Sequence, residues 1–316
     1  VPAEDAQGRA LVRRYYRHVA VEDLVGRAPV DLLGAVMSHR EAALRRPQGT
    51  AVVRAFTPTR ASHGWASDHT VLEIITDDMP FLVDSVSASL GQQGRGLHLV
   101  IHPQVVVRRD VVGSLEAVVA IDDETRDTPA DIAESWMHLE IDRETDEPDL
   151  RAIESAIQRV LRDVREAVED WPRMVAKATS IAASLRVEPP ATVAPDEVGE
   201  AVDLLTWLTD EHFTFLGFRE YVLSEDGEGL TPVPGSGLGI MRSDRPASTG
   251  FATLPPEVRA QNTMRSMVML SESTLSTSSG HSTKPPFCMK ARKDCRKFMG
   301  RDHSVPTAPR AMLRRV

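Results

Sequence analysis

The spacing of hydrophobic residues changes along the chain and predicts helical regions that alternate with extended ones. Leu11, Tyr15 and Val19 recur at every fourth position, which is typical of one face of a helix. A second apolar stripe of the same period runs from Asp31 to Arg46. Residues 1–60 are therefore predicted to form an N-terminal helical segment.

Residues 61–186 combine short β-rich runs with helices, which predicts one mixed domain. A helix follows the first strand. It is predicted to end at Gly91 or Gly94, because glycine commonly ends helices. A long amphipathic helix begins near Asp146, and Pro172 is expected to break or kink it. The strands are predicted at Val71–Thr76, Leu97–Val107 with an interruption at Pro103, Glu116–Ile121 and Trp136–Ile141.

A proline-rich stretch at 187–195, VEPPATVAP, is predicted to be a linker. Beyond it, Phe213–Val222 is apolar on both faces, which favours a buried strand. These features predict a second, partial domain over 196–273. Its helical stripe contains Val202, Leu205 and Leu208, with Leu204 and Trp207 beside it.

Charge and composition set the end of the chain apart from its body. The 316 residues carry a net charge of −9, yet residues 284–316 have an excess of 8 positive charges and residues 1–283 an excess of 17 negative ones. Four of the five lysines and both cysteines fall in that last stretch, and the periodicity is lost from about Thr274. Residues 274–316 are therefore predicted to be a disordered basic tail or the product of a shifted reading frame.

The same composition excludes several classes of protein. No apolar run approaches the ~18 residues that span a bilayer, and the charged N-terminus does not resemble a secretory signal. An acidic body does not favour a phosphate backbone as partner. We therefore predict a cytoplasmic protein without a nucleic-acid or membrane partner. The absence of an initial methionine favours a chain that begins inside a longer product, with removal by processing as the alternative.

Several motifs could carry chemistry, but each has a simpler structural interpretation. Gly235–Gly239 lacks the sixth-position glycine of a dinucleotide loop, since Ile240 stands there, so we predict a turn. His98 and His102 would lie about 13 Å apart on one strand, too far to share a metal. Asp77 and Asp78 are either acid–base groups, like Asp84, or a turn and a helix cap. Cys288 and Cys295, near His281 and His303, match no common zinc spacing.

The segment Leu72–Val100, LEIITDDMPFLVDSVSASLGQQGRGLHLV, resembles the ACT module, a ferredoxin-like βαββαβ fold. The resemblance implies an α+β fold built from ACT-like modules behind the N-terminal helical segment. Phe81 stands where the family usually has a glycine that lets a ligand approach the backbone. The resemblance assigns a candidate effector loop to Asp78, Met79, Pro80, Phe81 and Leu82, and Phe81 weighs against amino-acid binding there.

A wider resemblance covers about Leu11–Leu270 and points to the N-terminal region of the large bacterial NAD-specific glutamate dehydrogenases. It is carried by YYRHVAVEDL, TDDMPFLVDSVSASL, LHLVIHPQ, ESWMHLEIDR and HFTFLGFREY. In that family the catalytic and nucleotide-binding domains lie downstream. The resemblance therefore implies no catalytic, cofactor-binding or metal-binding residue on this chain, and NAD for the parent enzyme only.

The body contains a single lysine, Lys177, whereas amino-acid dehydrogenases use lysines for substrate binding and proton transfer. Arginine is a poor replacement, because its high pKa makes it a weak proton donor or acceptor. We therefore predict a non-catalytic regulatory and assembly region of a large NAD-specific glutamate dehydrogenase. Its expected partners are the downstream catalytic region, further copies in a homo-oligomer and an amino-acid effector. A stand-alone ACT-type amino-acid sensor is the alternative.

Overall fold

The computed structural model describes residues 6–119, 131–191, 193–223, 230–242 and 267–270. The tail predicted for 274–316, with Cys288, Cys295 and four of the lysines, lies outside the described residues. So does the end of the strand predicted at Glu116–Ile121. The expectations for these parts stay predictions.

Six antiparallel strands form the first sheet, in the order β1-β2-β6-β4-β5 with β3 also beside β6. Ile101 pairs with His138 and Gln104 with Ser135, so β3 and β4 keep one register along β6. The prediction of one long strand interrupted at Pro103 is therefore confirmed. The strands are β1 (Val52–Phe56), β2 (Thr70–Asp77), β3 (Leu97–Ile101), β4 (Gln104–Arg109), β5 (Leu115–Val118) and β6 (Asp131–Ile141).

Helices cover both faces of this sheet. Alternate strand residues point to opposite faces, so Ile74 and Leu139 face one core while Ile75 and Trp136 face the other. The first core packs on α5 and α6, the second on α1 and α3. The helices are α1 (Ala6–Tyr15), α2 (Val21–Leu24), α3 (Pro29–Ala42), α4 (Arg60–His63), α5 (Leu82–Gln92), α6 (Glu147–Val187) and α7 (Pro195–Trp207).

The order β2, α5, β3/β4, β6, α6 confirms the α+β, ACT-like fold with an N-terminal helical segment. One strand departs from the predicted order. The strand beside β2 is β1, which precedes the module, whereas the βαββαβ pattern has its last strand after the second helix. Sequence reasoning missed β1 because Val52–Phe56 has only five residues within a segment that is otherwise helical.

Helix α6 has 41 residues, a length of about 60 Å at 1.5 Å per residue. Pro172 lies inside the helix and does not end it, so of the two predicted outcomes a break is wrong, and a kink stays a prediction. Ile153 and Ile157 pack on the first sheet, whereas Met174 and Ala178 pack against the second sheet. One helix therefore contributes to both cores.

The second sheet is built around β7, which pairs with all three of its other strands. The turn Leu208–His212 precedes it, and the strand begins at Gly217 rather than at the predicted Phe213. Phe215, Phe218 and Leu238 form the core against α6. The assignment of 196–273 to a second ACT-like domain stays a prediction. The strands are β7 (Gly217–Leu223), β8 (Leu230–Pro232), β9 (Leu238–Gly239) and β10 (Met267–Leu270).

Candidate functional site

The candidate effector loop Asp78–Leu82 connects β2 to α5. Phe81 has φ 71° and ψ 0°, a left-handed conformation that costs most residues about 1–2 kcal/mol but suits glycine. Its side chain is partly buried and packs against the core beneath α5 and α6. The loop therefore keeps a glycine-like backbone while an aromatic ring adds bulk to it.

Alanine and glycine at position 81 should separate the backbone from the side chain. Phe81→Gly and Phe81→Ala both remove the ring, but only glycine relieves the left-handed backbone. We expect Phe81→Gly to be more stable than Phe81→Ala by about 1 kcal/mol in urea unfolding. At an ordinary position alanine is the more stable of the two, and that order at position 81 would contradict the geometry.

The carboxylate of Asp78 is already engaged by neighbouring strands. The two carboxylate oxygens accept hydrogen bonds from Ser135 Oγ at 2.5 Å and Gln104 Nε2 at 2.8 Å. The backbone N–H of Asp78 donates to Ala133 O. Phe81 occupies the N-cap position of α5, and its side chain makes no capping hydrogen bond. The prediction that Asp77 and Asp78 cap this helix is therefore wrong. The carboxylate of Asp78 is hydrogen-bonded to residues of β4 and β6 instead.

His102, Ser135 and Asp78 form a hydrogen-bonded chain beside the loop. The single hydroxyl proton of Ser135 goes to Asp78, so Ser135 accepts from His102 Nε2 at 2.8 Å. Burial lowers the pKa of His102, although the charge of Asp78 acts in the opposite direction. A catalytic triad needs the histidine between the other two groups. Ser135 stands there instead and is fully buried, so the chain holds structure rather than a nucleophile.

A buried ion network lies next to this chain. Arg46, which has no exposed surface, contacts Glu134 Oε1 at 2.6 Å and Asp77 Oδ1 at 2.7 Å. Arg109 binds both oxygens of Glu134, at 2.6 and 2.9 Å, and Arg165 binds Asp77 Oδ2 at 2.8 Å. These contacts join β2, β4, β6 and α6 to the segment after α3.

The network fixes the charge of its carboxylates. Burial by itself would raise the pKa of Glu134, but Arg109, Trp136 and Arg46 outweigh it and lower that pKa. Burial likewise opposes Arg46 and Arg165 at Asp77, whose pKa is also lowered. Both groups are therefore ionised and bound to arginine, which leaves neither as a general base. Asp84, the third predicted candidate, is exposed in the first turn of α5.

A second polar cluster lies between the sheet and helices α1 and α3. Tyr15 Oη is 2.8 Å from His39 Nδ1, and both side chains are buried. Burial lowers the pKa of His39 to about 3, so this imidazole is neutral. Burial also raises the pKa of Glu73, whose nearest cation is Arg54 at 3.5 Å.

Glu140 anchors the segment after α2 to this cluster. Arg27 binds its two oxygens at 2.5 and 2.8 Å. Burial opposes ionisation of Glu140, but hydrogen bonds from His138 and Arg27 outweigh it and hold its pKa at about 2. Sequence reasoning missed both polar clusters. Alternating polar residues on β6 were the available signal, because Glu134, His138 and Glu140 share one face.

The remaining predicted candidates do not converge. His98 pairs with Asp142 at 2.7 Å and stacks on His69 at 4.1 Å, well apart from the contacts of His102. At the glycine-rich motif, the N–H of Gly239 donates to Asp170 at 2.8 Å. Within the described ranges, no three histidine, cysteine or acidic side chains are placed to hold a metal. None of the helices there is long and apolar enough to cross a membrane.

Comparison with known proteins identifies the family. Residues 11–157 match the family described as "Glutamate dehydrogenase, ACT1 domain". The chain is 37% identical over 234 residues to the NAD-specific glutamate dehydrogenase of Halomonas elongata, covering 73% of this chain and 14% of the relative. Identity to the enzyme of the same name from Pseudomonas aeruginosa is 34% over 219 residues, or 69% of this chain and 13% of the relative. The predicted resemblance is confirmed, and residues 11–157 belong to the glutamate dehydrogenase ACT1 domain family.

Proposed function

We propose that this chain is the non-catalytic regulatory and assembly region of a large NAD-specific glutamate dehydrogenase. The parent would oxidise L-glutamate with NAD and water to 2-oxoglutarate, ammonia and NADH in the cytoplasm. The observation that carries the proposal is the extent of the match. About 70% of this chain corresponds to only 13–14% of relatives that bear that name.

The described side chains support a structural role for the chain. Apart from Glu73, whose two buried oxygens make no hydrogen bond with the described residues, the buried acids and histidines are held by internal hydrogen bonds and ion pairs, which leaves them committed to the fold. Lys177 binds Glu220 at 2.9 Å and lies 5.7 Å from the ring centre of Phe218. The single lysine of the body is therefore used in packing the second sheet against α6.

Helix α6 provides a physical route for regulation. This helix is about 60 Å long and packs on both sheets. A displacement of the helix at one sheet would therefore also move its contacts with the other sheet. An effector bound at one sheet, or a second copy packed on it, would therefore bias the position of the other sheet. A homo-oligomer, an amino-acid effector and the downstream catalytic region are the partners that this proposal requires.

An assay of the purified chain tests whether catalysis is absent. With saturating glutamate and NAD, we expect no formation of NADH above the rate without protein, because neither substrate has a described site. The full parent enzyme, assayed in the same buffer, is the positive control. Glutamate-dependent turnover by the chain alone would overturn the proposal.

A further inference from the structure

One face of helix α7 is left exposed although it carries large apolar side chains. Val198 and Val202 form the buried stripe of this helix. Leu204 and Trp207, which the sequence places beside that stripe, are 50% and 43% exposed. Large apolar side chains next to each other on a polar surface commonly mark a contact with another polypeptide.

The charges that α7 and the turn after it carry all have one sign, while Arg186 of α6 lies on one side of this face, 3.5 Å from Thr206 Oγ1. No lysine or arginine occurs between Pro195 and Glu211. The acids of this stretch are exposed, and none forms an ion pair with the residues that the structure describes. Glu200, Asp203 and Trp207 lie three and four positions apart, so they share one face of the helix. The six acids are Asp196, Glu197, Glu200, Asp203, Asp210 and Glu211.

Trp207 is held in place on one side. Its ring stacks on His212 at 4.7 Å, and His212 Nδ1 lies 3.1 Å from Trp207 O. Glu211 adopts φ 57° in the turn that positions this histidine. The indole therefore needs little further ordering to bind a ligand, which lowers the entropic cost of an interface.

The rest of the Trp207 side chain borders a groove of about 450 Å³. Asp203 and Asp210 line it together with two threonines whose hydroxyls donate within the helix, Thr206 to Val202 O and Thr209 to Thr206 O. The groove thus offers an aromatic surface and two carboxylates to a ligand. That combination matches a guanidinium, which stacks on tryptophan and binds carboxylates.

An apolar groove continues from the same point. It has a volume of about 580 Å³ and shares Asp203. Leu185 and Arg186 at the end of α6, the Pro-rich loop and α7 line it. Apolar residues next to a bound arginine would fit here. A single ion or small metabolite would leave most of this surface uncovered, so the arrangement favours a polypeptide segment.

We propose that this face of α7 binds an arginine-bearing segment of the parent polypeptide outside these 316 residues. The guanidinium lies over Trp207 between Asp203 and Asp210, and apolar neighbours cover Leu204. The inference rests on the proposed function, because the relatives extend far beyond the matched region. It adds the place and the chemistry of the contact.

Photo-cross-linking in the full-length parent enzyme tests this contact. Trp207 is replaced by p-benzoylphenylalanine, and the cross-linked peptide is identified by mass spectrometry. Val111, which is fully exposed at the β4–β5 turn, carries the same group as a control. We expect a cross-link from position 207 to a segment that contains arginine and lies outside this chain, and only solvent quenching from position 111.

Charge reversal tests the electrostatic part of the contact. Glu200→Lys with Asp203→Lys should lower the cross-link yield about tenfold, the effect of weakening binding by ~1.4 kcal/mol. Asp68→Lys with Glu116→Lys changes the net charge equally at other exposed positions and should leave the yield unchanged. Circular dichroism of the same variants of the purified 316-residue chain checks that its helix content is unchanged.

Three results would overturn the inference: no cross-link from position 207, a cross-link within this chain or to a second copy of it, or a partner segment without a basic residue. An equal loss of yield in both charge variants would also overturn it, since the effect would then not depend on this face. None of these results would affect the proposed function, which is tested by the catalytic and assembly properties of the parent.

Discussion

We expect Glu134→Ala to lower the free energy of unfolding by about 3–5 kcal/mol, the largest effect of any single change considered for this chain. The carboxylate is fully buried and receives bonds from Arg46, Arg109 and Trp136. Its removal leaves two buried guanidinium groups without their main counter-charge. Urea unfolding of the purified chain, followed by circular dichroism, measures the change.

An exposed ion pair gives the matched comparison. Arg151 and Glu147 pair at 2.9 Å on the surface of α6, where solvent screens them. Arg151→Ala should therefore change the stability by less than about 0.5 kcal/mol. The interpretation of Glu134 is wrong if its replacement by alanine costs as little as the change at Arg151.

The second large effect is a loss of stability in acid that depends on His39. Its pKa is about 3 in the folded chain and near 6.5 when unfolded, so the unfolded state binds one more proton between these values. Stability therefore rises with pH in this window, by about 1.4 kcal/mol per pH unit for one group. Lowering the pH from 6.5 to 5 should cost about 1.6 kcal/mol through His39 alone, since the unfolded imidazole is only half protonated at pH 6.5.

Unfolding of a His39→Gln variant between pH 7 and 5 isolates this contribution. The pH dependence of its stability should be weaker than that of the natural sequence by about one proton. Below pH 4.5 Glu140 adds to the loss, because its folded pKa of about 2 lies below its ordinary value of 4.5. An unchanged slope in His39→Gln would contradict this, because it would show that folding does not lower the pKa of His39.

The core elements could be predicted because their signal is local. The apolar period of α6 and the β-rich run of β2 each lie within one short window of sequence, and their positions agree with the structure. The interruption at Pro103 was predictable for the same reason, since proline lacks the N–H that a sheet ladder requires.

The parts that escaped prediction depend on residues far apart in the sequence. Arg46 and Glu134 are 88 positions apart, and no periodicity links them. β1 is recognised as a strand only through its pairing with β2. The cap expected at Asp78 is absent because Ser135 and Gln104, which belong to other strands, donate hydrogen bonds to that carboxylate. The left-handed backbone of Phe81 was not predicted either, because the glycine of the family pattern was interpreted only as giving a ligand access to the backbone.

The most direct test of the central claim is single-turnover reduction of NAD by the parent enzyme with and without the region that corresponds to this chain. Oligomer mass is measured on the same samples by light scattering. We predict that the first-turnover rate per folded active site stays within about twofold, while the oligomer or its response to amino acids changes. Loss of the first turnover with an unchanged oligomer would contradict the account, because the region would then take part in the chemistry itself.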